Sequence, residues 1–145
     1  MTELSGQCLC GAVSITAKLL DERLTVCNCD MCRRWTSAAF MSVRVDQDSI
    51  TIDGKARRFQ SSDWAERGFC DTCGSNLWYR ITAEGPGHGH YNFAAGLFGT
   101  GEMKIGREFF VDTKPQGYHF AGDHARLTEA ETFALFAPKD EGETQ

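Results

Sequence analysis

The sequence predicts a mainly β domain held together by metal and closed by one short helix near its C-terminal end. Three observations carry that expectation. Short runs rich in β-branched and aromatic residues alternate with polar positions and are cut by glycines and polar clusters, the pattern of half-buried strands. Thr128 and Glu131 form a TxxE capping box ahead of Phe133, Leu135 and Phe136. All seven cysteines fall into three tight groups: Cys8 with Cys10, Cys27 with Cys29 and Cys32, and Cys70 with Cys73.

Taken in order, a turn at Gly6 feeds a strand in which Val13 and Ile15 alternate with Ser14 and Thr16. An extended Cys8 to Cys10 points both sulfurs to one side, because strand side chains repeat every second residue, and both can then grip one ion. Gly11 follows Cys10 as Gly74 follows Cys73, and a glycine there lets the backbone turn its amides toward the sulfurs. Leu24 to Cys27 is a second strand. Residues 33–37 form a short helical turn or a loop. Phe40 to Val45 and Ser49 to Ile52, parted by Asp46, Gln47 and Asp48, read as an antiparallel pair ending at Asp53 and Gly54.

Arg57 to Ser61 is a further strand, and Glu66 to Phe69 leads into the last cysteine pair. Leu77 to Thr82 is a strand that cannot continue into the breaker-rich loop 85–90, Gly-Pro-Gly-His-Gly-His. Tyr91 to Ala95 and Phe109 to Asp112 complete the strands around a turn region at Gly96 to Gly101. The helix runs from Thr128 to Ala137, Pro138 stops it, and Lys139 to Gln145 is a polar tail expected to be disordered. No repeat or linker divides residues 1–138, which read as one domain.

At 145 residues the chain can bury one core but not two independent ones. Residues 1–6 show no secretory signal and no apolar run approaches bilayer-spanning length, so a cytoplasmic protein without a membrane partner is expected. Thiols stay reduced in that compartment, and an odd number of cysteines in CxC and CxxC groups suits metal better than disulfides. A thioredoxin-like role for Cys70 and Cys73 lacks a surrounding βαβ pattern and leaves five cysteines unexplained. The formal net charge is −5; seven thiolates subtract seven more and two divalent ions restore four, leaving −8. So acidic a protein, without a basic face interleaved with aromatics, is not expected to bind nucleic acid.

The grouping of the cysteines separates two kinds of site. Cys8, Cys10, Cys70 and Cys73 supply the four ligands of a closed structural zinc, while Cys27, Cys29 and Cys32 supply three and leave a position open, as catalytic zinc does. One ion joining Cys10 to Cys70 would close a loop of about 60 residues. All-sulfur ligation selects zinc, with iron as rival, and the spacings lack the ferredoxin pattern. The alternative for the three-cysteine group is closure by a distant side chain, His88, His90, His119 or His124, although none stands at ligand spacing. Three thiolates around one dication carry −1, which suits a soft ligand and a substrate thiol. Arg33 and Arg34, directly after Cys32, could hold the carboxylates of an acidic thiol or simply be solvated. The histidine-containing loop reads as a connection, Trp35, Trp64, Trp78 and the phenylalanines read as core, and no hydrolytic grouping is present.

These residues resemble a known family, the glutathione-dependent formaldehyde-activating enzymes, also grouped with centromere protein V. The resemblance rests on Gly-Gln-Cys-Leu-Cys-Gly-Ala-Val at 6–13, CxCxxC-Arg-Arg at 27–34, Arg-Gly-Phe-Cys-Asp-Thr-Cys-Gly-Ser-Asn-Leu at 67–77, Ala-Gly-Leu at 95–97 and Phe-Phe-Val-Asp-Thr-Lys-Pro at 109–115. It implies small stacked antiparallel β sheets stapled by zinc, a structural zinc on Cys8, Cys10, Cys70 and Cys73, and a catalytic zinc on Cys27, Cys29 and Cys32. It also implies glutathione as the thiol and formaldehyde as the aldehyde. Asn28 stands where the family often has histidine, and Trp35 and Thr36 where a small residue is frequent. The expectation is therefore a zinc-dependent carbon–sulfur lyase-type enzyme that adds a small thiol to a small aldehyde, with a non-catalytic, zinc-stabilised protein-binding module as the alternative.

Overall fold

Ser14–Lys18 shows how sequence alternation becomes a core: Ile15 and Ala17 are buried, while Ser14 and Thr16 on the opposite face are half-buried. In the computed structural model, which describes residues 2–137, this strand (β2) is the centre of a three-stranded antiparallel sheet. Its neighbours are β1 (Glu3–Gln7) and β5 (Thr51–Asp53). The remaining strands are β3 (Arg23–Cys27), β4 (Phe40–Arg44), β6 (Ala56–Gln60), β7 (Ala65–Cys70), β8 (Asn76–Ile81), β9 (Tyr91–Ala94), β10 (Lys104–Phe109) and β11 (Ala125–Arg126). They form an eight-stranded sheet in the order β11-β10-β3-β4-β9-β8-β7-β6. The fold is mainly β, as the sequence predicts.

One buried cluster joins the two sheets. Val13, Ile15, Ala17 and Leu19 meet Val43 and Val45 of β4 and its exit, Leu77 and Trp78 of β8, and Phe93 of β9. The Trp78 ring packs edge-on to Tyr91 and Phe93, at centroid separations of 5.3 and 6.4 Å. Such edge-to-face pairs add to the area that burial removes from water. The C-terminal helix α2 (Glu129–Phe136) starts as the capping box predicts, with Thr128 accepting from the Glu131 amide and Glu131 accepting from the Thr128 amide. Pro138 and the tail at 139–145 lie outside the described residues.

Several expectations change in the structure. The segment around Gly6 and Gln7 is the end of β1 rather than a turn; the turn comes after Cys8, so Cys8 and Cys10 are not on an extended strand. Ser49–Ile52 does not pair with β4. A 3-10 helix at Gln47–Ser49, capped by the Asp46 carboxylate, redirects the chain so that β5 pairs with β2 instead. The strand expected at Phe109 to Asp112 is already ending at Phe109, because Phe110 takes φ 58° and turns the chain, with the Thr113 amide donating to the Phe110 carbonyl. Finally, β10 lies parallel to both β3 and β11, so the larger sheet is not wholly antiparallel.

Candidate functional site

Both cysteine constellations assemble. The sulfurs of Cys8, Cys10, Cys70 and Cys73 lie within 4.8 Å of one another, and so do those of Cys27, Cys29 and Cys32. None of the seven is in a disulfide.

The four-cysteine group joins the turn after β1 to the turn after β7, one on each sheet. Gly11 and Gly74 have φ of 80° and 77°, the left-handed conformation that only glycine adopts without strain. The turns aim amides at sulfur: Val13 N donates to Cys8 Sγ at 3.3 Å, and Thr72 N and Cys73 N each donate to Cys70 Sγ at 3.4 Å. Separations of 3.6 Å for Cys8–Cys10, 3.6 Å for Cys8–Cys70 and 3.8 Å for Cys10–Cys70 match the edge of about 3.8 Å that a tetrahedron with Zn–S near 2.3 Å requires. Four soft donors at these spacings fit a zinc ion. Ser75 ties the two turns together, its hydroxyl accepting from Leu9 N at 3.0 Å and lying 3.1 Å from Cys73 Sγ.

The three-cysteine group sits where β3 ends and α1 (Asp30–Thr36) begins. The expected short helical turn is therefore a seven-residue helix. Cys29 is its N-cap, accepting from Cys32 N at 3.4 Å, which fixes the CxxC spacing as a helix start. Cys32 is buried, while Cys27 and Cys29 are half-buried. Among the described residues no histidine or carboxylate joins these sulfurs. His124 instead bonds Glu108 Oε1 at 2.7 Å, and His88 bonds the Thr82 carbonyl within its own loop. Hydrogen bonding with Cys29 and Cys32 pushes the Cys27 thiol far above its ordinary range, while hydrogen bonding with Cys27 and Cys32 holds Cys29 well below it. Three sulfurs this close share protons unless a cation replaces them. As a donor set they fit one soft dication with room for a further ligand.

Beneath this turn lies a polar network for which the sequence held no spacing signal. Asn28 is fully buried and turns away from the sulfurs, its Nδ2 donating to Glu108 Oε2 and to the Phe109 carbonyl, both at 3.0 Å. Tyr118 Oη donates to Asn28 Oδ1 at 3.0 Å. Glu108 is 2% exposed and lies between Asn28 and His124, with Arg126 3.9 Å away. The φ reversal at Phe110 thus matters locally: it ends β10 where Phe109 O accepts from the Asn28 main-chain N and from its Nδ2. The resemblance marks Asn28 as a departure, standing where the family often has histidine. Here the position holds the backbone of the cysteine turn from below.

The predicted arginines diverge. Arg33 Nε donates to the Asn28 carbonyl at 2.9 Å, so its stem is fixed to the cysteine turn. Arg34 points to solvent and pairs with Asp30 one helical turn earlier, at 2.8 Å. Both border a cleft of ≈ 640 Å³ together with Trp35, Asn76 and Pro115, and no cysteine lines it. A second cleft of ≈ 520 Å³, beside Leu9 and Leu97, shares Asn76 with the first.

A third arginine opens the 67–77 motif but carries no site role in the sequence reading. Arg67 of β7 is 4% exposed, and its Nη1 and Nη2 lie 3.6 and 3.7 Å from Cys32 Sγ. Its guanidinium sits over Trp35 at 4.9 Å and Tyr79 at 5.1 Å, and its Nε donates to Ser61 Oγ. The signal was present: Glu66 and Arg67 are two charges inside a strand immediately before a CxxC, where a buried strand ordinarily reads as apolar. No helix among the described residues is long and apolar enough to cross a membrane.

Two comparisons agree with this arrangement. An uncharacterized lyase of Schizosaccharomyces pombe (strain 972) is 33% identical over 130 residues, which span 88% of this chain and 93% of the relative. The family model for the glutathione-dependent formaldehyde-activating enzyme matches residues 3–113, a span that holds all seven cysteines, α1 and Arg67. With its three cysteine groups in place and most of its length matched, the chain belongs to the glutathione-dependent formaldehyde-activating enzyme family.

Proposed function

We propose that this protein is a zinc-dependent lyase-type enzyme that joins a small thiol to a small aldehyde, with glutathione and formaldehyde as the pair the family name suggests. The relative named an uncharacterized lyase supports the lyase class, and the family name supplies the substrates. The observation that carries the reading is the three-sulfur group, with Cys32 buried and Cys27 and Cys29 partly buried, which no further ligating side chain among the described residues completes. In this reading Cys27, Cys29 and Cys32 hold one zinc and Cys8, Cys10, Cys70 and Cys73 hold another, within a single domain over residues 1–138 that works in the cytoplasm.

The net reaction forms a bond between the thiol sulfur and the carbonyl carbon. The C=O π pair moves to oxygen, and the thiol proton ends on that oxygen. A dication on the three sulfurs would supply a lowered thiol pKa at neutral pH. The chain's own residues supply the rest. Asn28 and the Cys29 cap hold the sulfurs in a fixed turn. Arg33, anchored through Nε, keeps its terminal nitrogens for a carboxylate of the thiol substrate at the cleft beside α1. Arg34 is the weaker contact because Asp30 already engages it. Positioning is the main contribution available, since thiols add to formaldehyde unaided, and it draws on part of the about 7–11 kcal/mol that orientation can supply.

Calorimetric titration of the zinc-loaded protein with reduced glutathione, beside Cys29→Ser and with zinc assayed before and after, tests the reading. Saturable binding that Cys29→Ser abolishes while one zinc stays bound is the expected result. No binding by a protein that retains both zincs would overturn glutathione as the thiol and leave a different thiol or the protein-binding module.

A further inference from the structure

We propose that Arg67 is the charge complement of the three-cysteine site: its buried guanidinium bonds Cys32 through both terminal nitrogens and brings the metal-loaded site to neutrality, which prepares it for an anionic fourth ligand. The inference rests on the proposed metal occupancy of Cys27, Cys29 and Cys32, and it adds a positioning residue that touches neither thiol nor aldehyde.

The argument begins with charge. Three thiolates and one dication sum to −1, and a thiolate arriving as fourth ligand would raise this to −2 in a partly buried place. The cost of like charge grows as the surroundings exclude water. Arg67 offsets one of these charges from a position that water scarcely reaches. It is also an unusual arginine. Ordinarily a buried cation is paired with a carboxylate, yet none of the ion pairs among the described residues includes Arg67. Its neighbour Glu66 faces the other way, accepting from Trp78 Nε1 and pairing with Arg58 and Arg80. The group at its terminal nitrogens is the Cys32 sulfur, a thiolate once a metal is bound.

The geometry is held from three directions. Ser61 Oγ fixes Nε at 3.2 Å, and the rings of Trp35 and Tyr79 take the guanidinium at 4.9 and 5.1 Å. A planar fork held this way keeps both N–H groups on one sulfur, which the single point of a lysine ammonium does less well. Trp35 belongs to α1, the helix that Cys29 caps and Cys32 occupies, so the clamp and the ligands share one element. The four-cysteine site is stabilised differently, by backbone amides on Cys8 and Cys70. The nearby Lys55 and Arg57 are engaged by Asp71.

The test uses the full chain loaded with Co²⁺ at both sites, in wild-type form and as Arg67→Lys and Arg67→Gln. Lysine keeps the charge and glutamine keeps only a hydrogen-bond donor. Metal retention is followed by chelator competition, and 2-mercaptoethanol, a thiol without carboxylates, is titrated while the sulfur-to-cobalt charge-transfer absorbance is read. Arg67→Gln is expected to weaken retention at the three-cysteine site by about tenfold or more, in line with outer-partner losses at metal centres. It should also weaken the 2-mercaptoethanol response, with the four-cysteine site unchanged and Arg67→Lys recovering most of both. Equal loss from the two sites, an unchanged thiol response in Arg67→Gln, or unfolding of both variants would make Arg67 a packing residue and overturn the inference. A wild-type chain that takes cobalt at the four-cysteine site alone would remove the metal reading itself, and the inference with it.

Discussion

The two cysteine groups use the same side chain for opposite ends, and the difference lies in what surrounds the sulfur. At Cys8, Cys10, Cys70 and Cys73, two loops from different sheets converge, left-handed glycines turn them, and main-chain amides bond the sulfurs. At Cys27, Cys29 and Cys32, one strand end and one helix start supply all the sulfurs. One main-chain amide, Cys32 N, bonds Cys29, and side chains supply the rest: Asn28 and Glu108 from below, Arg67 from β7. A site that ties distant chain segments together constrains the whole fold, whereas a site within six residues constrains only itself. The comparison therefore supports the proposed division, with stability expected of the first group and chemistry of the second.

The largest expected effect tests the stability half. Structural zinc binding amounts to about 10–16 kcal/mol in small metal-dependent folds, which is comparable to the whole net stability of a domain, about 5–15 kcal/mol. Cys70→Ser is expected to leave a chain that is unfolded or molten at 25 °C, read by loss of near-ultraviolet dichroism and of a cooperative melt. Cys29→Ser, by contrast, is expected to melt cooperatively within a few degrees of the parent. If Cys29→Ser unfolds as Cys70→Ser does, both groups are structural and the comparison collapses.

Next in size is the polar network. Asn28→Ala removes the donors to Glu108 and Phe109 and the acceptor for Tyr118, leaving buried polar groups without partners at a cost of about 1–3 kcal/mol. The melting temperature should fall by several degrees, and metal should leave the three-cysteine group more readily, with no change at the four-cysteine group. Release from both groups at the same rate would show that Asn28 supports the fold at large rather than this turn.

Why the cysteines were legible and their supports were not follows from chain distance. Spacing alone groups Cys27, Cys29 and Cys32, because a CxC and a CxxC are local. Thr128 and Glu131 announced α2 for the same reason, three residues apart. Arg67 meets Cys32 across 35 positions and Asn28 meets Glu108 across 80, and no periodicity encodes such a meeting. The β5 error has the same origin: Thr51–Asp53 has strand composition, but its partner is decided by the 3-10 turn at Gln47–Ser49 and by Ile52 reaching the buried cluster with Ile15. The turn after Cys8 was misread because a CxC suits a strand and a turn alike. What placed both sulfurs on one side was the loop geometry set with Gly11.

The smallest effect separates the two arginines that the sequence paired. Arg34 and Asp30 are 80% and 65% exposed, and an ion pair at that exposure and i,i+4 spacing contributes only a few tenths of a kcal/mol. Arg34→Ala should leave stability and glutathione affinity nearly unchanged. Arg33→Ala should leave stability within about 1 kcal/mol, because only the single bond to the Asn28 carbonyl is lost, and weaken glutathione binding about tenfold if a carboxylate sits there. Comparing glutathione with 2-mercaptoethanol sharpens the point, since the second carries no carboxylate and its binding should not respond to Arg33→Ala. Equal losses from both thiols would move Arg33 from substrate recognition to support of the cysteine turn. That turn would then be held by Asn28 from below, Arg33 at its carbonyl and Arg67 at its sulfur, with none of the three left to choose the thiol.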